Sequence, residues 1–273
     1  MNNLPQKIIF ITICLILLHT GCAYAGNFGM GLHGGYGVLK YEERTSALGS
    51  DLKSESSQNV ILFGVSGEYS FPNISNFYTG ITTDWAVGLK DEEVWKENGF
   101  EIQTNDMRAF AQFYDFRLGY KNSANNFYYR YYLSGGWDGM HFSRDKFVMQ
   151  DEPLSASITE DISLWRMGAG AGFGYKPGEW ALDGRIAYAY YPVGKVENSS
   201  LPQFSFDTNG TCFDAGIGAA RAINKNMSFY FGGSYTFIKL NESGIEENSL
   251  TRAVFPESRT EIITGVANIS YAF

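Results

Sequence analysis

Ten stretches of this chain place apolar or aromatic residues at every second position, and a period of two sends alternate side chains to opposite faces of an extended backbone. They cover residues 28–41, 60–71, 77–90, 107–120, 127–142, 162–175, 180–191, 211–223, 227–240 and 260–273. Strands of globular proteins average about 5–6 residues. These run to about 11–16, the length of tilted strands that cross a bilayer and continue beyond it. In the last of them Ile263, Gly265, Ala267, Ile269, Tyr271 and Phe273 share one face, with the aromatic Phe273 as the final residue.

The connections alternate in length. Short turns are expected at 72–75, 121–126, 176–179 and 224–226, and five long polar stretches separate them. An even number of strands with this asymmetry predicts an all-β, ten-stranded antiparallel up-and-down transmembrane β-barrel, with short periplasmic turns, long extracellular loops and both termini on the turn side. The long stretches hold most of the acid behind the formal net charge of -8, for example Asp91, Glu92, Glu93 and Glu97, while the turns carry Lys121, Lys176 and Lys225. Such a balance excludes nucleic acid as a natural partner. Acidic loops make a solvated exterior and offer contacts to lipopolysaccharide through bridging divalent cations.

The faces differ in kind. Met227, Phe229, Phe231, Tyr235 and Phe237 oppose Ser228, Tyr230, Gly232, Ser234 and Thr236; Trp165, Met167, Ala169, Ala171, Phe173 and Tyr175 oppose Arg166, Gly168, Gly170 and Gly172. A soluble barrel holds bulky apolar groups inside and charge outside, and this pattern is the reverse. Aromatics at the turn side, among them Tyr69, Phe71, Phe77, Tyr120, Phe127, Tyr175, Trp180, Tyr271 and Phe273, read as an interfacial girdle. The same parity sends His33, Glu68, Asp84, Asp115, Arg117, Arg130, Asp138, Arg166, Asp183, Arg185 and Asp214 into the lumen. Since buried charge is costly unless paired, these groups are expected to form Arg–carboxylate pairs across adjacent strands. The result is a polar plug that fixes register, with a narrow ion path as the alternative.

The N-terminus adds an address. Lys7 precedes an apolar run over 8–18 and then Ala23-Tyr24-Ala25, the form of a secretory signal cleaved after position 25, which leaves 26–273 as a single barrel domain. The run is too short to span a membrane as a helix. Cys22 raises the competing reading of a lipid-modified N-terminus, though His19 stands where such signals carry Leu. Removal of the signal takes Cys14 and Cys22 with it, so Cys212 has no partner for an internal disulfide and stability must come from the fold. No metal-ligand spacing or nucleotide loop is present, and no cofactor follows.

A terminal aromatic closing a period-two strand resembles the C-terminal strand of bacterial outer-membrane barrels, which implies that Ile269, Tyr271 and Phe273 serve as a membrane-insertion signal read by the barrel-assembly machinery. The hairpin spacing and the stretches 224–234 and 262–273 are similar to those of the omptin proteases, which have ten strands. Omptins hold a hydrolytic water between an acidic pair and an Asp–His pair. Asp91 and Glu93 would imitate the first pair, but 193–210 contains Glu197 and Asp207 and no histidine. The resemblance therefore carries the architecture and not the protease activity, which lacks its base.

His141-Phe142-Ser143 resembles the His-x-Ser of outer-membrane lipid A deacylases. The likeness covers those residues alone, because the family's following Asn-Ala is Arg144-Asp145 here and its barrels have eight strands. It implies an outer-leaflet lipid hydrolase in which His141 activates Ser143 and Asp161 orients the imidazole. The leading expectation is a monomeric outer-membrane barrel embedded in lipid and lipopolysaccharide, with a plugged polar lumen and a structural, adhesive or interaction role through its acidic loops. Nothing in those loops spells out a surface ligand.

Overall fold

The computed structural model describes residues 28–247 and 251–273, apart from positions 48, 73 and 75. The expected signal at 1–25 lies outside the described residues. The strands are β1 (Phe28–Thr45), β2 (Leu52–Ser70), β3 (Phe77–Gly88), β4 (Asp91–Glu97), β5 (Phe100–Ala124), β6 (Phe127–Met149), β7 (Glu152–Tyr175), β8 (Trp180–Asn198), β9 (Ser205–Ala222), β10 (Met227–Leu240), the short pair β11 (Glu246–Glu247) and β12 (Arg252–Ala253), and β13 (Glu257–Ala272). Sequential neighbours pair antiparallel, and β1 pairs with both β2 and β13, so the sheet closes. β3 and β4 both lie between β2 and β5 and share one place in the ring. The ring therefore has ten places.

Between β3 and β4 the chain bulges over two residues, and the ladder to β5 is interrupted there. Gln58 repairs the gap from inside: its side-chain carbonyl accepts the freed Ala109 N–H at 3.0 Å. Closure at the turn side is equally local. Phe273 donates its N–H to the Phe28 carbonyl at 2.9 Å, and the two rings stack 5.9 Å apart. Ile269, Tyr271 and Phe273 lie exposed on the outer face.

The turn-side strand ends fall close to their expected positions, whereas the external ends run much further. β5, β6 and β7 contain 25, 23 and 24 residues, and about ten cross a bilayer. The expected loop over 90–105 is instead a hairpin of β4 and β5, with Asn98 and Gly99 both at positive φ, as a tight two-residue turn requires. Another two-residue turn at Gln150 and Asp151 joins β6 to β7. A tall wall thus rises beyond the membrane on one side of the barrel.

The interior changes character along the axis. Near the turns the inward groups are polar, and bulky residues such as Leu32, Tyr131, Leu133, Ile186 and Ile217 are exposed outward. Above a second aromatic ring containing Tyr36, Trp85, Trp137, Trp165 and Tyr188, the chemistry reverses. Leu39, Tyr41, Met107, Phe142, Leu164, Tyr191 and Leu240 turn inward and are essentially buried. Phe204 and Phe255 from the β8–β9 and β10–β13 connections join this cluster. The uniformly polar plug expected from parity is thus corrected to a polar lower half under an upper half in which this apolar cluster packs beside buried polar groups such as Gln58, Glu93, Arg144 and Glu160. Physically, the outside is hydrocarbon only at bilayer depth; beyond it both faces meet water, and the wall stands only if its inward face excludes water. Burial contributes on the order of 1.5–3 kcal/mol per large side chain.

Candidate functional sites

Below the apolar cluster lies a cavity of about 650 Å³, lined by ten of the predicted lumen residues: His33, Glu68, Asp84, Asp115, Arg117, Arg130, Arg166, Asp183, Arg185 and Asp214. Asn224, Lys225 and Asn226 of the β9–β10 turn also line it, together with the strand ends at Gly29 and Ala272, so its mouth faces the turn side. Asp138 sits above the cavity and is fully buried, accepting a hydrogen bond from the Tyr191 hydroxyl at 2.5 Å with Arg166 3.5 Å away.

The pairing follows a rule the sequence reading did not contain. Four of the six ion pairs in the lumen skip a strand, and in two of these a glycine in register with both partners stands between them. His33 on β1 meets Asp84 on β3 over Gly64, which is in register with both. Arg166 on β7 reaches Asp115 on β5 at 3.0 Å across Gly136. Tyr128 on β6 donates to Asp183 on β8 at 3.0 Å across Gly174, and Arg130 joins the same carboxylate at 3.2 Å. Lys121 on β5 reaches Glu68 on β2 at 2.6 Å, and Arg117 pairs with Asp115 on its own strand. The expectation of pairs across adjacent strands holds for Arg166 with Asp138 and is otherwise corrected to pairs that skip a strand or stay within one. On the concave inner face of a narrow barrel, inward side chains converge, and a residue without Cβ lets its two neighbours meet over it.

A second charged cluster lies at the external end, beyond the upper aromatic ring. Arg144 donates to Glu93 at 2.8 Å and lies 3.6 Å from Glu43 and 3.8 Å from Glu160, all of them buried. Tyr41 donates to Glu43 at 2.6 Å. One guanidinium faces three carboxylates. Burial, reinforced by the Glu160 charge, raises Glu43 to about 8, and the carboxylates hold Arg144 well above its ordinary range against the opposing effect of burial. Glu93 is therefore no member of a hydrolytic acidic pair: it is sealed from solvent, while Asp91 is exposed.

The raised Glu43 has a definite sign. The folded protein holds this proton where the unfolded chain has released it, so the stabilisation is complete below the ordinary carboxylate pKa of about 4.3 and is lost as pH rises through about 8. Denaturant midpoints of the wild type should fall across that window, by at most about 1.4 kcal/mol per pH unit for one proton. Glu43→Gln should flatten the dependence, and an unchanged slope in the variant would assign the proton elsewhere.

On the outer surface His141 and Asp161 are cross-strand partners, joined Nδ1 to Oδ1 at 2.8 Å. Ser143 lies on the same outward face, in register with Thr159 rather than Asp161, and no hydrogen bond joins it to His141 among the described residues. Sequence reasoning passed over Tyr41, Glu43, Arg144, Glu160 and Tyr191. Their signal was the reversal at Leu39-Lys40-Tyr41-Glu42 and Phe142-Ser143-Arg144, where bulky groups and charge exchange faces without a change of parity.

An antiparallel closed ring with a polar lower interior, a lipid-facing apolar belt and two aromatic rings defines an outer-membrane β-barrel. Among solved structures, the outer membrane protease OmpT from Escherichia coli is similar over 90% of this chain and 97% of its own, with a TM-score of 0.66 and 12% identity. The outer membrane protein OprG from Pseudomonas aeruginosa matches at a TM-score of 0.36 and 10% identity, over 91% of this chain and 97% of its own. Neisserial surface protein A matches at 0.33 and 11%, over 90% and 97%. No family model and no curated protein sequence matches the chain. The likeness to OmpT is one of fold.

Proposed function

We propose that this protein is a non-conducting outer-membrane barrel that acts by binding at its raised external rim. The observation that supports this reading is the apolar cluster packed inside the barrel above the cavity. The rim adds a surface suited to contact. Phe100, Met149 and Leu154 are exposed at the tips of the β4–β5 and β6–β7 hairpins, far above the lipid belt, with Phe100 at 78% exposure. Apolar groups kept in water at such a place mark an interaction surface.

The test has two arms. Purified wild-type protein in planar bilayers should show no conductance steps, and bacteria displaying the protein should adhere several-fold less to host-cell or abiotic surfaces when Phe100, Met149 and Leu154 are all serine. Steps in the wild type, or unchanged adherence of a folded triple variant, would end this reading.

The His141–Asp161 bond favours a second reading, an outer-leaflet lipid hydrolase with Ser143 as nucleophile. His141 stands four residues beyond Trp137 of the upper aromatic ring along β6. Fatty-acid release from lipopolysaccharide vesicles that disappears in both His141→Ala and Ser143→Ala would establish it; equal rates in wild type and variants would remove it.

A further inference from the structure

Of the four arginines that line the cavity, Arg117, Arg130 and Arg166 each pair with an acid, and Arg185 does not. Arg185 is in register with Gly172 on one side and Gly216 on the other. Across Gly172 the next inward residue is Arg130, and across Gly216 it is Ser234. Neither is an acid, and Arg185 has no hydrogen bond or ion pair among the described residues. The position is nonetheless built to hold it: a Cβ added at Gly216 would lie 3.0 Å from its Nε. The nearest acid left without a cation, Asp214, stands one inward row above and accepts the Thr236 hydroxyl at 2.7 Å and the Cys212 thiol at 3.5 Å.

Two guanidiniums therefore flank Gly172, and the carboxylate beside them, Asp183, pairs with Arg130 alone. The Arg130 Nε is buried with no partner, which leaves it a donor beside the free Arg185 fork. Tyr230, whose ring lies over Gly218 next to Asp183, also lines the cavity. Lys225 stands in the turn at the mouth. At its other end Leu62, Phe113, Ala189 and Ile262 line it, next to the apolar cluster.

We propose that this cavity is a binding site for a small anion bearing a carboxylate or phosphate group, which enters from the periplasmic side and is seated between Arg185 and Arg130. A planar guanidinium fork matches both groups, and the Arg185 side chain is exposed to the cavity and not sealed in the wall. The tyrosines Tyr78, Tyr128, Tyr132 and Tyr230 surround the remaining volume, which suits a molecule with some apolar body better than a bare ion.

The test is calorimetric titration of the purified barrel in detergent micelles, at constant ionic strength, with inorganic phosphate and separately with benzoate. At least one probe should bind with a dissociation constant of about 1 mM or below. Arg185→Gln should weaken it about tenfold or more, as loss of a charge-assisted hydrogen bond implies. Arg185→Lys should retain part of the affinity, and Arg259→Ala, on the outer surface, should leave it unchanged. A preference for phosphate or for benzoate identifies the anion class. Should Arg185→Gln fail to fold, phenylglyoxal labelling of Arg185 in the wild type decides instead: the bound probe should slow it several-fold. No binding of either probe, equal affinity in folded Arg185→Gln, or labelling unaffected by both probes would overturn the assignment.

Discussion

Replacing Arg144 with alanine should destabilise the folded barrel by about 3–5 kcal/mol, because it leaves Glu93 and Glu160 buried without a counter-charge and takes the guanidinium away from Glu43, which holds its proton below about pH 8. The loss arises from stranding acids and not from the worth of the ion pairs themselves. A buried pair can break even against an apolar replacement, so substituting Glu43, Glu93 and Glu160 with glutamine in the Arg144→Met background should recover much of the deficit. Urea or guanidinium unfolding in lipid vesicles, followed by tryptophan fluorescence, reads both. Arg144→Ala is also expected to loosen the wall locally, since the guanidinium lies over the Tyr41 and Phe142 rings at 5.9 and 5.8 Å. Arg144→Ala with a midpoint equal to wild type would mean that the acids take up protons or water at no cost, and the cluster would cease to be a structural element.

Leu133→Arg should cost about 2–4 kcal/mol, the amount for a cation on the lipid face near the bilayer midplane. Leu133 is 68% exposed on the outer face of β6, between Phe127 at the turn-side girdle and Trp137 in the upper aromatic ring. Phe100→Arg, at an equally exposed position on the external hairpin, should change stability by no more than about 0.5 kcal/mol, as for an ordinary wet surface. The two substitutions add the same group at similar exposure, so only the surrounding solvent separates them. Equal effects in lipid vesicles would move the membrane belt away from the place given by the aromatic rings.

Much of the barrel was legible because its signals are local. The alternation around Met227–Leu240 puts Phe229 and Phe231 on one face and Tyr230 and Gly232 on the other whatever the neighbours are, and Lys176–Glu179 or Asn224–Asn226 can do little but turn. The external ends were less legible. The 90–105 segment reads as an acidic loop by composition, yet Asn98-Gly99 is a strong signal for a tight hairpin, and the flanking residues follow it into the sheet. The inward apolar cluster was hidden by an assumption that one face keeps one chemistry along its length. Leu39 and Tyr41 continue the parity of Gly31 and His33 and carry the opposite character, because the solvent outside them has changed from lipid to water.

What the sequence determined by itself was the closed strand ring, the end at which the turns lie and the set of side chains that point inward, since a period of two and a turn residue act within a few residues of themselves. The pairing of those inward groups belonged to the tertiary structure. Which residue of β8 stands across which residue of β6 depends on the register of two hydrogen-bonded ladders and on strand tilt, and neither is written into any single segment. That register lays Gly64 between His33 and Asp84 and Gly136 between Asp115 and Arg166. It also lays Gly172 between two arginines, and so leaves Arg185 facing the cavity without an acid.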